Sequence, residues 1–571
     1  MNSRNATRRA ARTFASALPG LLLGAACEPP SANLGGSFRC PTGAAASCWF
    51  FDSGLKQSAE LSRAAFDAAQ DSDPAAAPRI AYPLDQTTEP PNLYELDIQW
   101  HRSRRVQTLF RIRVESSSLP YGRYDIYAPC LPVYDGCHYS VPESEWFNHV
   151  VMPLLGSEAR LTVAGSDAKG GPISVSGPVQ LRFSQGPVPG GLYYWSARAP
   201  NAAPDSPDQG TTYRLAIGAR RATPFIRSNQ ENPKRCEGCH AVSANGDRIA
   251  FTASDGLDDG PQAGSFIARS TTTPSRPFGP TPVENDSAMI ALNQDGSLAL
   301  IGRDNRLFLR VVESGAETQI DPALLGSEAN DQGHGYFPEF SRDQKHIVVT
   351  LSNHPDSPWS VTTGSIATLD FDASTRRFSK ANVLVPMTEQ EFHYYPSWSP
   401  DNEWIVFASA PRGLELERCS DANDPKTCPP RRSYDQPESR LRLVHFPDGR
   451  VYDLNRATQH VGSTSTLPKF APLPSSGQGQ LSITFNSKMN YGVRLPNSPA
   501  QLWLSVLDFD RLPDDPSSAP VWLPFQGFGQ KNHMAYWTDK VPCRTDVDPE
   551  FECGLYEYCA QGECLPVAVV K

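Results

Sequence analysis

The sequence predicts an all-β protein in two parts, a β-sandwich followed by a ring of repeated sheets. Three observations predict it. Proline and glycine are abundant, at 53 and 41 residues of 571, while long amphipathic helical stretches are scarce. Aromatic and β-branched residues cluster in short runs bounded by Gly, Pro, Asn and Asp, as strands between turns do. A strand–turn–strand pattern recurs through the second half. The length exceeds one ordinary domain, so two or more are expected. The formal net charge is -10 with no basic stripe, which excludes nucleic acid as the main partner.

The chain begins like an export signal. Arg4, Arg8, Arg9 and Arg12 form a basic lead, and residues 14–26 form an apolar stretch too short to span a bilayer. It ends in Leu23-Gly24-Ala25-Ala26-Cys27, which resembles a bacterial lipobox with Gly24 in place of a larger aliphatic residue. The resemblance implies cleavage after residue 26 and lipidation of Cys27; cleavage and release is the alternative. Residues 27–79, rich in Ala, Ser, Pro and Asp, then read as a tether. No later segment is apolar enough to cross a membrane. The expected location is exported: the periplasmic face or cell surface, as an outer-membrane lipoprotein anchored by its lipid.

Cysteine usage fits an oxidising compartment. Of 13 cysteines, one is assigned to lipid and two to the motif described below, leaving an even number. Cys40/Cys48, Cys130/Cys137 and Cys419/Cys428 are near neighbours that could clip local loops. The tail, residues 541–571, holds Cys543, Cys553, Cys559 and Cys564. Its spacing resembles small cysteine-rich modules of bacterial surface lipoproteins, and two disulfides are expected rather than a metal site.

Residues 80–222 contain alternating runs, among them Leu96 to Trp100, Thr108 to Val114, Arg160 to Val163, Val179 to Phe183, Gly191 to Trp195 and Thr212 to Ile217. Alternation puts one face of each strand into a core. Several such strands in this span suggest an Ig-like or fibronectin-like sandwich, in which Tyr193, Tyr194 and Trp195 serve as core or strand-face aromatics.

Residues 223–540 carry the repeat. The clearest copies are His393-Tyr-Tyr-Pro396-Ser-Trp398-Ser399-Pro400-Asp401-Asn402 with Ile405-Val-Phe407, and Tyr336-Phe-Pro338-Glu-Phe340-Ser341-Arg-Asp343 with Ile347. Weaker copies start at Cys239, Met289 and Leu467. Asp or Asn with Gly takes the tight-turn conformations that short hairpins need. These copies resemble the TolB-like, WD40-like (PD40) β-propeller repeat, and the resemblance covers more than half the chain. The aligned anchors are residues 243, 293, 341, 399 and 471, with gaps of 50, 48, 58 and 72. A blade needs about 40–50 residues, so the last gaps carry insertions and six blades fit best. The segment His533 to Trp537 is expected to supply the last blade's matching strand.

The first copy opens on Cys236-Glu-Gly-Cys239-His240. Two thiolates with an adjacent imidazole can hold a haem covalently, with His240 as proximal ligand of the haem iron. A c-type haem is therefore the expected cofactor; a disulfide with an incidental histidine, or a metal site, are the alternatives. Either way the motif is expected just before a blade's first strand, near one mouth of the central channel. Repeat alignment offers His393 and His533 as first candidates for a distal ligand, with His334, Met289 and Met534 behind them.

No catalytic set is recognisable. There is no Gly-x-Ser-x-Gly elbow, no His-Glu-x-x-His and no phosphate loop, so an enzyme is not expected and a propeller hydrolase or lyase is disfavoured. Asp255, Asp258 and Asp259 could bind calcium but read more simply as a solvated turn. Two functions remain: an envelope scaffold docking a protein, peptide or glycan at the channel mouth, and a dedicated electron-transfer or haem-sensing protein.

Overall fold

The structure is a computed structural model describing residues 36–566 apart from 41–46, 57, 68–73, 94–95, 104–106, 167–172, 198–209, 228–235, 255–263, 271–277, 284–288, 304–305, 327–333, 353–360, 413–432, 460–461, 475–479, 541–542, 544–552, 554–556 and 561–562. The signal segment, Cys27, the acidic stretch at 255–259 and the Cys419/Cys428 pair lie outside the described residues, as do the side chains of Cys236 and Cys239.

Six sheets follow the repeat, each with a leading strand that starts it. We number these leading strands β1 (Cys236–Val242), β2 (Met289–Leu292), β3 (His334–Phe340), β4 (Glu391–Trp398), β5 (Thr466–Phe470) and β6 (Asn532–Thr538). In the first five sheets the following strands are added in chain order, antiparallel, as hairpins require. The leading strands form a closed cycle of neighbours: β1 lies beside β2, and so on to β6, which lies beside β1.

The apolar cores alternate with the sheets around this cycle. Between the second and third sheets pack Leu300, Leu307 and Leu309 against Ile347, Val349 and Leu369. Between the third and fourth pack Val348 and Ile366 against Ile405 and Phe407. The sixth sheet meets the fifth through Leu192, Tyr194 and Trp537 against Leu502, Leu504 and Leu523, and meets the first through Tyr193 and Phe225 against Ile249 and Phe251. Each fully buried side chain of this kind contributes roughly 1.5–3 kcal/mol.

The repeat's turn chemistry is visible in four copies. The anchor side chain accepts a hydrogen bond from the backbone N–H five residues on: Ser243 from Arg248 at 2.9 Å, Asn293 from Leu298 at 2.9 Å, Ser341 from His346 at 3.0 Å and Ser399 from Trp404 at 2.9 Å. Three residues past each anchor the backbone is left-handed, at Gly246 (φ 78), Gly296 (φ 71), Gln344 (φ 57) and Asn402 (φ 65). That is why Gly and Asn recur there.

The sixth sheet departs from the sequence expectation. β6 pairs with Gly191–Ser196, which continues to Thr211–Ala216 and Thr223–Arg227. The strands Gly191–Ser196 and Thr211–Ala216, expected within the N-terminal sandwich, therefore complete the ring, and the division at 222 does not hold. Period-two alternation specifies a half-buried strand but not its partner.

What remains of the N-terminal region forms two sheets sharing one core. The larger runs Phe38–Arg39, Cys48–Phe51, Arg123–Pro129, Leu109–Glu115, Glu158–Ser166, Val179–Phe183, Thr87–Glu89, with Ser174–Val175 beside Glu158–Ser166. The smaller runs Arg79–Tyr82, Asp97–His101, Gly136–Ser140, Leu131–Val133. Trp100 of the smaller meets Phe110 of the larger, rings 4.9 Å apart. Within the stretch expected to be a tether, Phe38–Arg39 and Cys48–Phe51 form strands and Ala59–Asp67 a helix, because Trp49, Phe50 and Phe66 bury in this body. Its core is continuous with that between the fourth and fifth sheets of the ring. Among the described residues the neighbours Cys40–Cys48 and Cys130–Cys137 are joined as expected, and the tail holds two disulfides, Cys543–Cys559 and Cys553–Cys564.

Candidate functional site in the channel

Five leading strands are interrupted by a bulge at the same place. Register shifts fall between Gly238 and Ala241, Tyr336 and Glu339, Tyr394 and Ser397, and Thr466 and Lys469, and opposite Tyr193/Trp195 in the sixth sheet. At the bulges Phe337, Tyr395, Leu467 and Met534 have positive φ, from 49 to 55. A bulge re-aims the side chains that follow it. Residues at these five bulges, His240, Phe337, Tyr395, Leu467 and Met534, line a small chamber together with Met289 of the regular strand β2.

His240 shares that lining with the polar side chains of Lys469, Tyr395 and Tyr536. It is fully buried. Its Nε2 faces the Tyr193 carbonyl at 3.1 Å, so Nε2 carries the proton and donates. Nδ1 is left as a lone pair, buried and without a partner. Tyr536 meets the ring edge-on at 5.3 Å. Burial pushes the His240 pKa down to about 4, against the opposing pull of the Tyr193 carbonyl, so the imidazole is neutral at physiological pH.

Pro338, Lys469 and Tyr536 of the chamber lining also line a wider polar vestibule of about 90 Å³. Glu339 of β3 and Lys469 of β5 reach across it and form an ion pair. Glu339 also accepts from Ser397 Oγ and the Trp398 backbone N–H, both at 2.9 Å. Burial works against the Lys469 charge, but the Glu339 carboxylate outweighs it and holds the ammonium pKa above its ordinary value. Lys469 also sits 4.8 Å from the centre of the Tyr536 ring. Arg342, on the lining, pairs with Asp539 at 2.9 Å.

The structure brings Met289 and Met534 to the chamber with His240, but not His393 or His533. His393 holds Ser409 Oγ at 2.8 Å and is depressed to about 4 by burial and by Arg442 and Arg440. His533 is engaged by the Tyr434 hydroxyl and by the Asn486 amide at 3.0 Å, and is depressed to about 3 by burial, Lys531 and Lys488. His334 is buried on β3 outside the lining. The motif itself lies within β1 and not ahead of it.

The chamber does not fit a haem. Its volume is about 20 Å³, on a measure by which one water fills roughly 10–15 Å³. The Nε2 of His240 is already committed to Tyr193, and residues 236–242 are paired as a strand with Arg248–Ser254.

Glu339 and Lys469 were not singled out by the sequence. The signal was present: both lie two residues before an anchor, where the other copies have Ala241, Ala291 and Ser397. Opposite charges at equivalent positions of different repeats meet across a ring.

No family model matches the chain, and no curated protein does. Among solved structures, a TolB protein of Agrobacterium tumefaciens is similar at 16% identity, covering 47% of this chain and 89% of that one, with a TM-score of 0.27. The dihydro-heme d1 dehydrogenase NirN is similar at 14% identity, 58% and 53% coverage and a TM-score of 0.29. A Cps50 (Swd1) β-propeller domain of Myceliophteria thermophila is similar at 10% identity, 48% and 86% coverage and a TM-score of 0.26. The chain spans only 44% of a similar puromycin hydrolase. At such scores the all-β ring rests on its own strand pairing.

Proposed function

We propose that this chain is an exported binding scaffold of the cell envelope, a six-bladed propeller whose vestibule receives a charged segment of a protein, peptide or glycan. The observation that carries the reading is the Glu339–Lys469 pair, contributed by separate sheets and lining an open cavity. Interior ion pairs cost desolvation that packing alone does not require, and here both partners face space that a ligand could enter. The N-terminal body, read as an Ig-like sandwich, buttresses the ring beside the fourth and fifth sheets. In this reading Cys27 holds the lipid anchor and places the protein at the periplasmic face or cell surface.

A photo-crosslinking residue at Gln294, on the vestibule lining, tests the reading in intact cells. A discrete adduct that disappears when Glu339→Ala is added supports it. No adduct, or one indifferent to Glu339, overturns it. Fatty-acid labelling lost on Cys27→Ala tests the anchor.

The second reading, electron transfer or haem sensing through a covalent haem on Cys236, Cys239 and His240, draws on the sequence motif. It requires β1 to open and His240 to leave Tyr193. A haem stain after denaturing electrophoresis, made with a cytochrome-maturation system present, decides it. A hydrolase or lyase reading has no catalytic set behind it.

A further inference from the structure

We propose that the vestibule and chamber together bind a hydroxycarboxylate the size of one sugar-acid unit, its carboxylate on Lys469 and Arg342 and a hydroxyl on His240 Nδ1. The proposal rests on the vestibule reading and gives its ligand a sign of charge and a chemistry.

The first observation is charge. Lys469 lines both cavities and Arg342 lines the vestibule, while among the described residues Glu339 is the one carboxylate on either lining. The lined space is therefore net positive in a chain whose formal net charge is -10, and a positive cavity draws anions. Neither cation is exhausted by its partner. An ammonium has three N–H donors, and Lys469 gives one to Glu339. Glu339 keeps two other donors, Ser397 Oγ and the Trp398 N–H, so a second anion beside Lys469 does not strand it. Arg342 donates to Asp539, which is off the lining and more exposed, at 37%. Such a rim pair holds weakly, and the guanidinium has four further N–H groups.

The second is an acceptor with nothing to accept. His240 is fully buried on the chamber lining, its Nε2 donates to the Tyr193 carbonyl at 3.1 Å, and Nδ1 has no partner. A buried acceptor left unpaired is a cost that a donor on a ligand removes. His240 and Lys469 flank one ring: the imidazole is 5.3 Å from Tyr536, and the ammonium 4.8 Å from its centre. A ligand that satisfies both carries an O–H donor near its anionic group. The two ends are told apart, because the neutral imidazole lone pair repels a carboxylate oxygen and the ammonium has no use for a donor.

The third is size. On a measure by which one water fills roughly 10–15 Å³, the chamber of about 20 Å³ takes one hydroxyl-sized group and the vestibule of about 90 Å³ takes roughly six to nine waters, the space of one sugar ring. A peptide N–H carries chain on both sides, for which the chamber has no room.

The test is calorimetric titration of the full chain with glucuronate. Three comparison ligands are glucose, which lacks the carboxylate, cyclohexanecarboxylate, which lacks the hydroxyls, and triglutamate, an acidic peptide. The variants are Arg342→Gln and His240→Gln, each checked for folding by a thermal melt; the ligand series stands even where a variant does not fold. We expect one glucuronate per chain, bound more weakly as salt is raised. Removing the carboxylate, the hydroxyls or either side chain should weaken binding about 10-fold or more, as loss of a charge-assisted or buried hydrogen bond does. A glucuronate-terminated oligosaccharide bound more tightly than the free acid assigns the site to a glycan end, and the reverse to a free sugar acid; either keeps the proposal. Glucose bound as well as glucuronate, triglutamate bound more tightly, or no ligand bound by the folded wild-type chain, leaving only water in the chamber, overturns it. A Glu339-dependent adduct at Gln294 without glucuronate binding sinks this inference alone, whereas glucuronate binding without an adduct sinks the docking of a larger partner and keeps the site.

Discussion

Replacing Asp97 by Asn should uncouple the N-terminal sheets from the ring. Asp97 is buried on strand Asp97–His101. Its carboxylate accepts from His138 Nδ1 at 3.0 Å, Ser140 Oγ at 3.0 Å, Arg494 Nη1 at 3.1 Å and the Tyr491 hydroxyl at 3.4 Å. Arg494 and Tyr491 belong to the loop between two strands of the fifth sheet, so one charge joins the two bodies. The backbone N–H groups of Val493 and Arg494 reinforce the joint by donating to Gln99 Oε1 at 2.9 and 3.0 Å. Asparagine keeps the size, removes the charge and turns one oxygen into a donor facing other donors. Breaking a buried ion pair costs about 3–5 kcal/mol. One acceptor oxygen survives in asparagine and Arg494 keeps some water, so the expected loss is about 3 kcal/mol.

The pH dependence distinguishes this from a mere packing defect. Burial pushes the Asp97 pKa up, but the His138 hydrogen bond and the Arg494 guanidinium, with Ser140, outweigh it and hold the carboxyl below its ordinary value. A carboxyl lowered by folding stabilises above its unfolded pKa, about 3.9, and loses that contribution as pH falls through the lower folded value. The gap in urea midpoint between wild type and D97N should therefore be full from about pH 5 to 8 and close below about pH 4. Tryptophan fluorescence reads both. A variant as stable as wild type at neutral pH, or a gap unchanged at about pH 3, would refute the reasoning.

Two further variants probe the ring. Lys469→Met strands the Glu339 carboxylate with only the Ser397 and Trp398 donors and should cost about 3 kcal/mol; adding Glu339→Gln should recover part of it. A double variant no better than the single in thermal melts would argue that the pair is not coupled. Trp537→Ala removes a buried ring from the core between the fifth and sixth sheets, together with its hydrogen bond to Thr484 at 2.9 Å. The expected loss is about 3–5 kcal/mol, and a loss under about 1 kcal/mol would mean that this core does not hold the ring closed.

The turns were the most legible part of the sequence, because their chemistry is local. Ser399, Asp401 and Asn402 fix a hairpin whatever lies around it, and so do Ser341 and Asp343. The identity of each strand's neighbour was not legible. The Gly191–Ser196 strand alternates like any half-buried strand, and nothing within it names β6 as partner. Residues 48–51 were masked by their surroundings: a run rich in Ala and Ser hides Trp49 and Phe50, which are what fold it. In the channel, repeat alignment pointed to His393 and His533, yet the bulges at Tyr395 and Met534 break the strand periodicity that follows them. Residues within the bulge reach the chamber, and the histidines ahead of it do not. Met289 and Met534 were legible as candidates, but the arrival of Met534 and His240 at one chamber depends on that break.

Closure of the ring by remote strands looks expensive and is not. Gly191 and Thr538 lie 347 positions apart and are paired. Loop-closure entropy rises by only about 0.6 kcal/mol per doubling of length, so joining such ends costs roughly 2.5 kcal/mol more than a 20-residue hairpin. The closing sheet buries Leu192, Tyr193, Tyr194, Leu215, Phe225 and Trp537, each worth roughly 1.5–3 kcal/mol, so closure wins by a wide margin. The consequence reaches the site. β6 brings Met534 to the chamber and Tyr536 to both cavities, and the Gly191–Ser196 strand supplies the carbonyl that orients His240. Neither the chamber nor the vestibule is complete until the last strand of the ring has docked on a strand made much earlier. Ligand binding at the axis is thereby tied to correct folding of the whole chain.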